Sequence, residues 1–331
     1  MPNKLTSSDF KTIGICVLIA AASLAVGLKY FMHAFSEAAI EFRVNRTESL
    51  PIAQKFLEKR GVRIENYRHV AVFRYDDSAK VFMERTLGLE RMNDLTRGPV
   101  RLWRWTHRWF RPQQQEEFSI SVTPTGQVAG FHHVIPEAAP GATLGRPAAQ
   151  GIAEKFLVEV MGRDMAGLEF VETKDYQRPA RGDHDFIWKQ KNVDLGEGQW
   201  RIEVDVAGDQ VSGYYEYVYI PEQWTRDYSK LRSRNDVAQQ AAEVLFIAIT
   251  IGMMVILLRR LRDRDVPIRL AVILGGIGAV LYFLGQLNNF AMAEYGYSTT
   301  DSYTSFVANY FRNSVLAALG VSTWIVFLTT S

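Results

Sequence analysis

Four long runs of apolar residues interrupt a chain whose other segments mix polar and apolar positions. Their uncharged cores are residues 13–28, 244–258, 270–287 and 315–331. A helix that crosses a membrane needs about 20 predominantly apolar residues, and the residues beside each run allow roughly that length. The pattern therefore predicts transmembrane helices at residues 13–31, 241–258, 270–287 and 309–331.

The first and the last run each raise a further question. Residues 13–28 exceed the short core of a signal peptide, and no clear small-residue cleavage site follows them, which favours an anchor over a cleaved signal. The last run ends at Ser331 and covers only about 25 Å of a hydrocarbon core about 30 Å thick. We therefore expect the helix at 309–331 to be truncated and the chain to be the front part of a longer polytopic protein.

Basic residues indicate how the helices are oriented. Positive charges in short connections stay on the cytoplasmic side of a membrane. Lys4 and Lys11 precede the first helix, and an arginine-rich loop at 259–269 joins the second helix to the third. Both signals predict a multi-pass protein of the cell (inner) membrane with a cytoplasmic N-terminus. Its remaining parts are a cytoplasmic segment at 1–12, an outer domain within 32–240, and an outer loop at 288–308.

Small residues recur at every fourth position in the last two helices. The third helix carries Ala271, Gly275 and Ala279, and the fourth carries Ala318 and Ser322. Such spacing lets helix backbones approach closely, so we expect these helices to pack against helical neighbours.

The outer domain contains an internal repeat. Ala-Gln-Lys-Phe-Leu at 53–57 matches Ala-Glu-Lys-Phe-Leu at 153–157, an offset of 100 residues. Pro51 and Pro147 predict the starts of the two helices, and Gly61 and Gly162 predict their ends. A pair of strand-like segments also recurs, at 118–122 with 128–131 and at 200–204 with 211–214. The second offset is smaller, so the first copy has extra residues in its middle.

The repeated segments predict an α+β outer domain built from two helix-plus-antiparallel-sheet units. Trp200, Ile202 and Val204 alternate with polar neighbours, as in a sheet with one face in water. The units are placed at 32–137, with a Trp/Arg-rich insertion, and at 147–240. Residues 138–146 are rich in Ala, Pro and Gly and are interpreted as a linker.

A tandem helix-and-hairpin unit outside a membrane anchor resembles PepSY-type domains over roughly residues 51–224. Together with the Tyr-Val-Tyr-Ile-Pro-Glu-Gln-Trp segment at 217–224, the arginine-rich turn at 259–269 and the span at 275–289, it resembles the N-terminal region of bacterial CPBP-family (CAAX-protease-like) intramembrane metalloproteases. The resemblance implies a sensor or substrate-presenting region in front of a zinc-dependent catalytic part.

The catalytic residues implied by that resemblance do not occur in this sequence. The family carries Glu-Glu-x-x-x-Arg on a membrane helix and histidines on later helices. Glu116-Glu117 precedes a strand without the arginine, and no histidine follows His184. The single cysteine, Cys16, excludes a disulfide or a cysteine-based zinc site. We therefore expect no catalytic, cofactor-binding or metal-binding residue in this chain, with zinc only in a part beyond Ser331.

The overall composition argues against a nucleic-acid partner. The 331 residues include 38 basic and 36 acidic side chains, a net charge of +2, so no excess of charge favours a nucleic-acid partner. The expected partners are the lipid bilayer and a peptide substrate, protein substrate or peptidase.

The segment at 101–111 is the first candidate contact surface. Trp103, Trp105 and Trp109 would share one strand face and Arg104 and Arg108 the other. Such a ribbon could grip a peptide or lie on lipid headgroups, because Trp and Arg suit both interfaces. The alternative is a half-buried strand with its three tryptophans in the core.

A second candidate contact surface is the last hairpin strand. It presents Tyr214 with Tyr215, Tyr217 and Tyr219, which either face a ligand or fill the core.

Three histidines are candidate metal ligands. Adjacent His132 and His133 would point to opposite faces of a strand, which opposes chelation. His184, between Asp183 and Asp185, is expected in a polar loop without a third ligand.

Two functions remain open from the sequence. The chain is either the non-catalytic sensor or substrate-presenting part of a CPBP-like protease, or a non-enzymatic membrane module that binds or inhibits an envelope peptidase or senses the envelope. A transporter is disfavoured because the cores of the spans contain no charge.

Overall fold

The computed structural model describes residues 6–263 and 265–331, apart from the side chains of residues 32, 33 and 234. Lys4 and Arg264, which belong to predicted cytoplasmic segments, lie outside the described residues. The α-helices of the described part are α1 (Ser7–Ala34), α2 (Arg46–Lys59), α3 (Asp77–Leu87), α4 (Leu89–Arg97), α5 (Arg146–Lys155), α6 (Glu222–Arg262), α7 (Ile268–Tyr295) and α8 (Tyr303–Thr330). The strands are β1 (Arg68–Arg74), β2 (Arg104–Phe110), β3 (Glu117–Val122), β4 (Val128–Val134), β5 (Leu168–Arg178), β6 (Arg181–Gln190), β7 (Gln199–Ala207) and β8 (Gln210–Tyr219).

Four helices, α1, α6, α7 and α8, are long and apolar enough to cross a membrane. All four extend beyond the predicted spans, since α1 covers Ser7–Ala34 rather than 13–31. α6 begins at Glu222 rather than at 241, and α7 and α8 shorten the predicted outer loop at 288–308 to residues 296–302. The polar first half of α6 is helical because side chains one turn apart pair along it, as Glu222 and Arg226 do at 2.5 Å.

Helices α7 and α8 pack closely through their small residues. A Cβ on Gly275 would lie 2.8 Å from the Val326 side chain and 2.9 Å from the Ser322 carbonyl oxygen. Ala271 and Ala318 are buried in the same helix pair. The predicted packing role of the four-residue spacing is therefore confirmed.

All eight strands form one antiparallel sheet in the order β1-β2-β3-β4-β8-β7-β6-β5. Each predicted unit supplies four consecutive strands, and the units meet where β4 pairs with β8. At this seam Gly130 faces Tyr215, and His132 faces Gly213. A Cβ on Gly213 would lie 2.8 Å from the Tyr215 ring, so the aromatic ring needs a glycine beside it. The two repeat units are thus halves of one sheet rather than separate modules.

The extra residues of the first unit are helices α3 and α4, inserted between β1 and β2. The Trp/Arg-rich segment is not the insertion, because β2 pairs along its length with β1 and β3. It occupies the place that β6 holds in the second unit. The change in repeat offset located an insertion correctly but not its residues.

Helix α2 starts earlier than the proline signal indicated. The Asn45 side chain accepts hydrogen bonds from the backbone N–H groups of Thr47 and Glu48, and the Glu48 side chain accepts one from the backbone N–H of Asn45. This capping box starts the helix at Arg46 and leaves Pro51 inside it. The predicted stops are confirmed, since Gly61 and Gly162 have φ values of 73° and 64°.

The main core lies between one face of the sheet and helices α2 and α5. We call this side of the sheet the helix face. Buried side chains from both units fill it, including Leu57, Ile120, Phe186, Val204 and Tyr214. A second core packs α3 and α4 against Trp103, Trp200 and Val218 at one end of the sheet. The opposite side, which we call the open face, carries mainly polar side chains.

Candidate functional site

The α7–α8 turn, residues 296–302, docks on the open face at its β1–β2 edge. Tyr297 is only 2% exposed and packs with Val70 and Phe110 of the sheet. The ring centroids of Phe110 and Tyr297 are 5.3 Å apart. An apolar contact therefore joins the sheet to a pair of helices that could span a membrane.

Arg108 of β2 holds the same turn by hydrogen bonds. Its Nη1 donates to the carbonyl oxygens of Tyr295 and Tyr297, both at 2.7 Å. Its Nε donates to Glu117 at 3.0 Å, so a carboxylate fixes the guanidinium from the sheet side. The carbonyl groups at a helix C-terminus lack partners within the helix and favour a cation, which suits Arg108 to the end of α7.

A second arginine supports the dock from β1. The Arg68 guanidinium lies 3.8 Å from the centroid of the Tyr303 ring, and its Nε lies 3.8 Å from a Glu294 oxygen. The Tyr303 hydroxyl donates to Glu294 at 2.6 Å. Both ends of the turn are thus tied to β1 and β2.

Beside this dock the open face contains a pocket of about 530 Å³, which we call the Arg104 pocket. Arg74 and Arg104 line it together with the hydroxyl-bearing Thr106 and Ser121. Tyr295, at the end of α7, also lines it, and the Arg74 guanidinium lies 4.9 Å from the centroid of the Tyr295 ring. A molecule in this pocket would contact both the sheet and α7.

Arg104 has no carboxylate partner among the described side chains. Its Nε donates to the Arg101 carbonyl at 2.8 Å, and its Nη2 donates to the Glu216 carbonyl oxygen. Burial lowers the pKa of the Arg104 guanidinium, with the nearby Glu216 opposing that shift. The backbone carbonyls hold the group in position without neutralising its charge.

Glu216, which also lines the pocket, is fully buried. One of its carboxylate oxygens accepts hydrogen bonds from Arg101 at 2.8 Å, from Arg163 at 2.5 Å and from the Tyr214 hydroxyl. Its other oxygen has no partner among the described residues. Burial next to Glu216 strongly raises the pKa of Tyr214, so that hydroxyl stays protonated.

On the other half of the open face three carboxylates come together. Asp185, Glu203 and Asp205 place oxygens within 4.8 Å of one another. Oxygen donors of this type suit a hard divalent cation. Burial and the neighbouring Asp185 raise the pKa of Asp205 to about 8, so Asp205 is largely protonated at neutral pH. Burial and the nearby carboxylates raise the pKa values of Tyr215 and Tyr217, so both phenols stay protonated beside Asp205 and Glu203. The proton on Asp205 lowers the negative charge of the cluster and so weakens the case for a cation there.

The tryptophans of the 101–111 segment face the interior. Trp103 precedes β2 and is buried in the second core, while Trp109 is buried in the main core. Trp105 is half-buried, and its Nε1 donates to the Val44 carbonyl at 3.0 Å. Trp105 and Trp109 share one face of β2, as the alternation predicts, whereas Trp103 lies before the strand, which starts at Arg104. The alternative of a half-buried strand with its tryptophans in the core therefore describes the segment better than a contact ribbon. Arg104 and Arg108 do point to the open face.

The tyrosines of β8 divide between the two alternatives. Tyr214 fills the core, whereas Tyr215, Tyr217 and Tyr219 lie on the open face. The Arg201 guanidinium stacks 3.6 Å from the centroid of the Tyr219 ring.

The histidines take structural positions. His132 contacts the Tyr215 ring, and His133 stacks on Phe118 from the opposite side of the sheet, as the strand argument predicted. His184 is not in a loop but buried within β6, where it pairs with Asp175 at 2.8 Å and with the Leu144 carbonyl at 3.0 Å. Alternation alone could not reveal a polar residue in that strand.

Sequence reasoning missed Arg74, Glu216 and Tyr297. Glu216 lies between two predicted tyrosines, and its position on the inward side of an alternating strand was the available signal. No local pattern marks Arg74 or Tyr297, whose roles depend on contacts between distant parts of the chain. The chain matches no protein-family model, no curated protein and no solved structure.

Proposed function

We propose that this chain is a non-catalytic sensor that lies in the cell membrane. Its outer sheet domain binds a peptide or protein segment outside the cytoplasm and passes the bound state to the α7–α8 helix pair. The observation that carries the proposal is the dock of the α7–α8 turn on the open face, held by Arg108 and by buried Tyr297.

A sensor needs a mechanical connection between its binding domain and its membrane part. A flexible tether would let the sheet move without moving the helices. Here the carbonyl oxygens of Tyr295 and Tyr297 accept hydrogen bonds from one sheet arginine, and the Tyr297 side chain packs between strand residues and residues of α7 and α8. A displacement of β1 or β2 must therefore move the turn or break these contacts.

A sensor also needs an unoccupied surface next to that connection. The Arg104 pocket opens beside the dock and is lined by residues of both parts, Arg74 and Arg104 from the sheet and Tyr295 from α7. Binding there changes contacts on both sides at once. A ligand can shift such an equilibrium only by its differential contacts with the two arrangements, and this location provides them.

Orientation supports an outer rather than a cytoplasmic ligand. The arginine-rich connection between α6 and α7 favours the cytoplasmic side of the membrane. If α7 crosses the membrane, the turn at 296–302, which follows α7 and contacts the sheet, lies on the other side. The sheet and the turn then share the side opposite to that loop.

The test is a peptide-display selection on the full chain in lipid nanodiscs, followed by hydrogen exchange. We expect the selected peptides to slow amide exchange at residues 296–302. In Arg108→Gln, which loses both carbonyl bonds, the same peptides should bind without slowing exchange there. Selection of no peptide above empty nanodiscs, or binding that leaves the turn unchanged in the natural chain, would contradict the proposal.

A second candidate is the front region of a CPBP-family intramembrane protease, as the sequence resemblance implies. The observation that favours it is the unburied surface of α1 and α6: none of the most apolar window of either helix is buried within the described chain. Such surfaces suit further membrane helices as well as lipid. An in-frame coding sequence after Ser331 with Glu-Glu-x-x-x-Arg and later histidines would support this candidate, and its absence would remove it.

A further inference from the structure

We infer that the Arg104 pocket binds the carboxylate of a peptide, such as its C-terminus, between Arg74 and Arg104. This inference rests on the proposed sensor function and names the group that the sensor recognises.

Two cations that line the pocket form no ion pair within the described chain. The charged groups of the lining are the guanidinium groups of Arg74 and Arg104 and the carboxylates of Asp76, Asp77 and Glu216. Arg101 and Arg163 bind Glu216, so this buried carboxylate is neutralised without Arg74 or Arg104. A buried charge without a partner is costly, so an anion that neutralises Arg104 is favoured there.

Donors for that anion are already in place. Arg104 keeps its guanidinium without a carboxylate, and no ion pair is formed by Arg74 within the described chain. Trp200 lines the pocket, is 1% exposed, and its indole N–H has no acceptor among the described residues. Hydroxyl groups on Thr106, Ser119 and Ser121 also line the pocket, and those of Thr106 and Ser121 hydrogen-bond to each other at 3.1 Å. Buried donors without partners are uncommon in folded proteins and indicate a group that is missing.

The chemistry favours a carboxylate over a phosphate. A guanidinium matches a carboxylate in a planar, two-bond geometry. Asp76 and Asp77 at the exposed mouth repel any anion, and they repel a doubly charged phosphate more strongly than a singly charged carboxylate. The pocket of about 530 Å³ holds more than the carboxylate alone, and so admits one or two residues of the peptide.

The position of the Arg104 pocket beside α7 connects carboxylate binding to the α7–α8 turn. Arg74 stacks on Tyr295, the last residue of α7, so an anion that draws Arg74 inward weakens that stacking. The carbonyl of the same Tyr295 accepts the Arg108 hydrogen bond. Carboxylate binding and the hold on α7 therefore involve the same residue.

The experiment is saturation-transfer NMR on the full chain in phosphatidylcholine nanodiscs, with N-acetyl-triglycine as the probe and its C-terminal amide as the matched control. We expect the acid to bind at least about tenfold more tightly than the amide, the factor that one charge-assisted hydrogen bond provides. Equal binding of acid and amide, or no binding of the acid, would overturn the inference.

Variants locate the site. Arg74→Gln removes an exposed guanidinium and should weaken binding of the acid by about tenfold, whereas Arg91→Gln, a surface arginine on α4, should leave it unchanged. Arg104→Lys keeps the charge but loses the planar geometry and should also weaken binding. If Arg104 variants do not fold, the comparison of Arg74→Gln with Arg91→Gln still decides, and equal binding in those two variants would contradict the site.

Two further experiments distinguish a peptide carboxylate from other occupants of the pocket. Inorganic phosphate that displaces the acid at a lower concentration than acetate does would indicate a phosphate pocket and overturn the carboxylate assignment. If N-acetyl-triglycine no longer binds in nanodiscs that contain phosphatidylglycerol, a lipid headgroup occupies the pocket. That result would also overturn the carboxylate assignment. Carboxylate-dependent binding without any change at residues 296–302 would leave the pocket intact and contradict only the sensor function.

Discussion

Glu216 is a fully buried carboxylate held by Arg101, Arg163 and the Tyr214 hydroxyl. Glu216→Gln removes the charge but keeps the shape, so the half-buried guanidinium groups of Arg101 and Arg163 lose their buried counter-ion. Removing one partner of a buried ion pair costs about 3 to 5 kcal/mol. We expect a loss of that size in urea unfolding of the sheet domain, followed in the detergent-solubilised full chain.

Glu222→Gln is the matched control for that substitution. Glu222 pairs with Arg226 on the exposed start of α6, and exposed pairs contribute less than about 1 kcal/mol. A loss of similar size in the two variants would mean that the Glu216 network does not stabilise the sheet.

His107 makes the stability of the sheet domain depend on pH. It is fully buried and hydrogen-bonds to His69 and to Ser49 on α2, both at 3.0 Å. The Ser49 hydroxyl donates to the Arg46 carbonyl, which assigns His107 as the donor to Ser49 and as the acceptor from His69. Burial and the nearby His69 lower its pKa to about 4. The unfolded chain, with an ordinary pKa near 6.5, therefore binds the proton more readily.

The resulting stability is complete above pH of about 6.5 and is lost as pH falls towards about 4. We expect the free energy of unfolding in detergent to fall by up to about 3 kcal/mol across that window. His107→Gln keeps a donor for Ser49 but removes the titration, so its stability should depend less on pH. Parallel pH profiles for the two chains would show that His107 is not responsible.

At the scale of elements, Gly275 and Gly276 are neighbours on α7 with opposite surroundings. A Cβ on Gly275 would meet Val326 and Ser322, whereas nothing lies within 4 Å of one on Gly276. We expect Gly275→Leu to lower the melting temperature in detergent by several degrees, because overpacking costs about 1 to 3 kcal/mol. Gly276→Leu should leave it nearly unchanged, and the reverse order would mean that α8 packs on another face of α7.

The elements predicted best from sequence were those with a local or repeated signal. The hairpins β3–β4 and β7–β8 carry alternation and a turn glycine with positive φ, Gly126 or Gly208. Helices α3 and α4 were missed because both are short and their strongest sign was a change in repeat offset. α6 was placed too late because its polar first half lacks a hydrophobic signal, although ion pairs one turn apart support it.

The candidate site was less accessible to sequence reasoning. Arg104 and Arg108 were singled out, yet their roles depend on partners far along the chain, such as Glu216 for the first and Tyr297 for the second. The seam between β4 and β8 likewise depends on pairing between the two repeats. Such long-range contacts leave no periodic signal in a single sequence.

At the scale of the whole molecule, the account predicts which parts face each side of the membrane. Asp209 lies at the tip of the β7–β8 hairpin, and Asp263 follows α6. With Cys16 replaced by serine, we expect Asp209→Cys to react with a membrane-impermeant maleimide in intact cells. Asp263→Cys should react only after the membrane is opened. Labelling of both in intact cells, or only of Asp263→Cys, would contradict the orientation.

The most direct test of the central claim is a cross-link between the sheet and the α7–α8 turn in native membranes. The chain would carry Phe110→Cys and Tyr297→Cys in the Cys16→Ser background, since these two rings are 5.3 Å apart. Val158→Cys, on the helix side of the sheet, replaces Phe110→Cys in the control pair. We expect rapid disulfide formation in the first pair and little in the control. Equal cross-linking in both pairs, or none in the first while the sheet remains folded, would contradict the dock on which the sensor proposal depends.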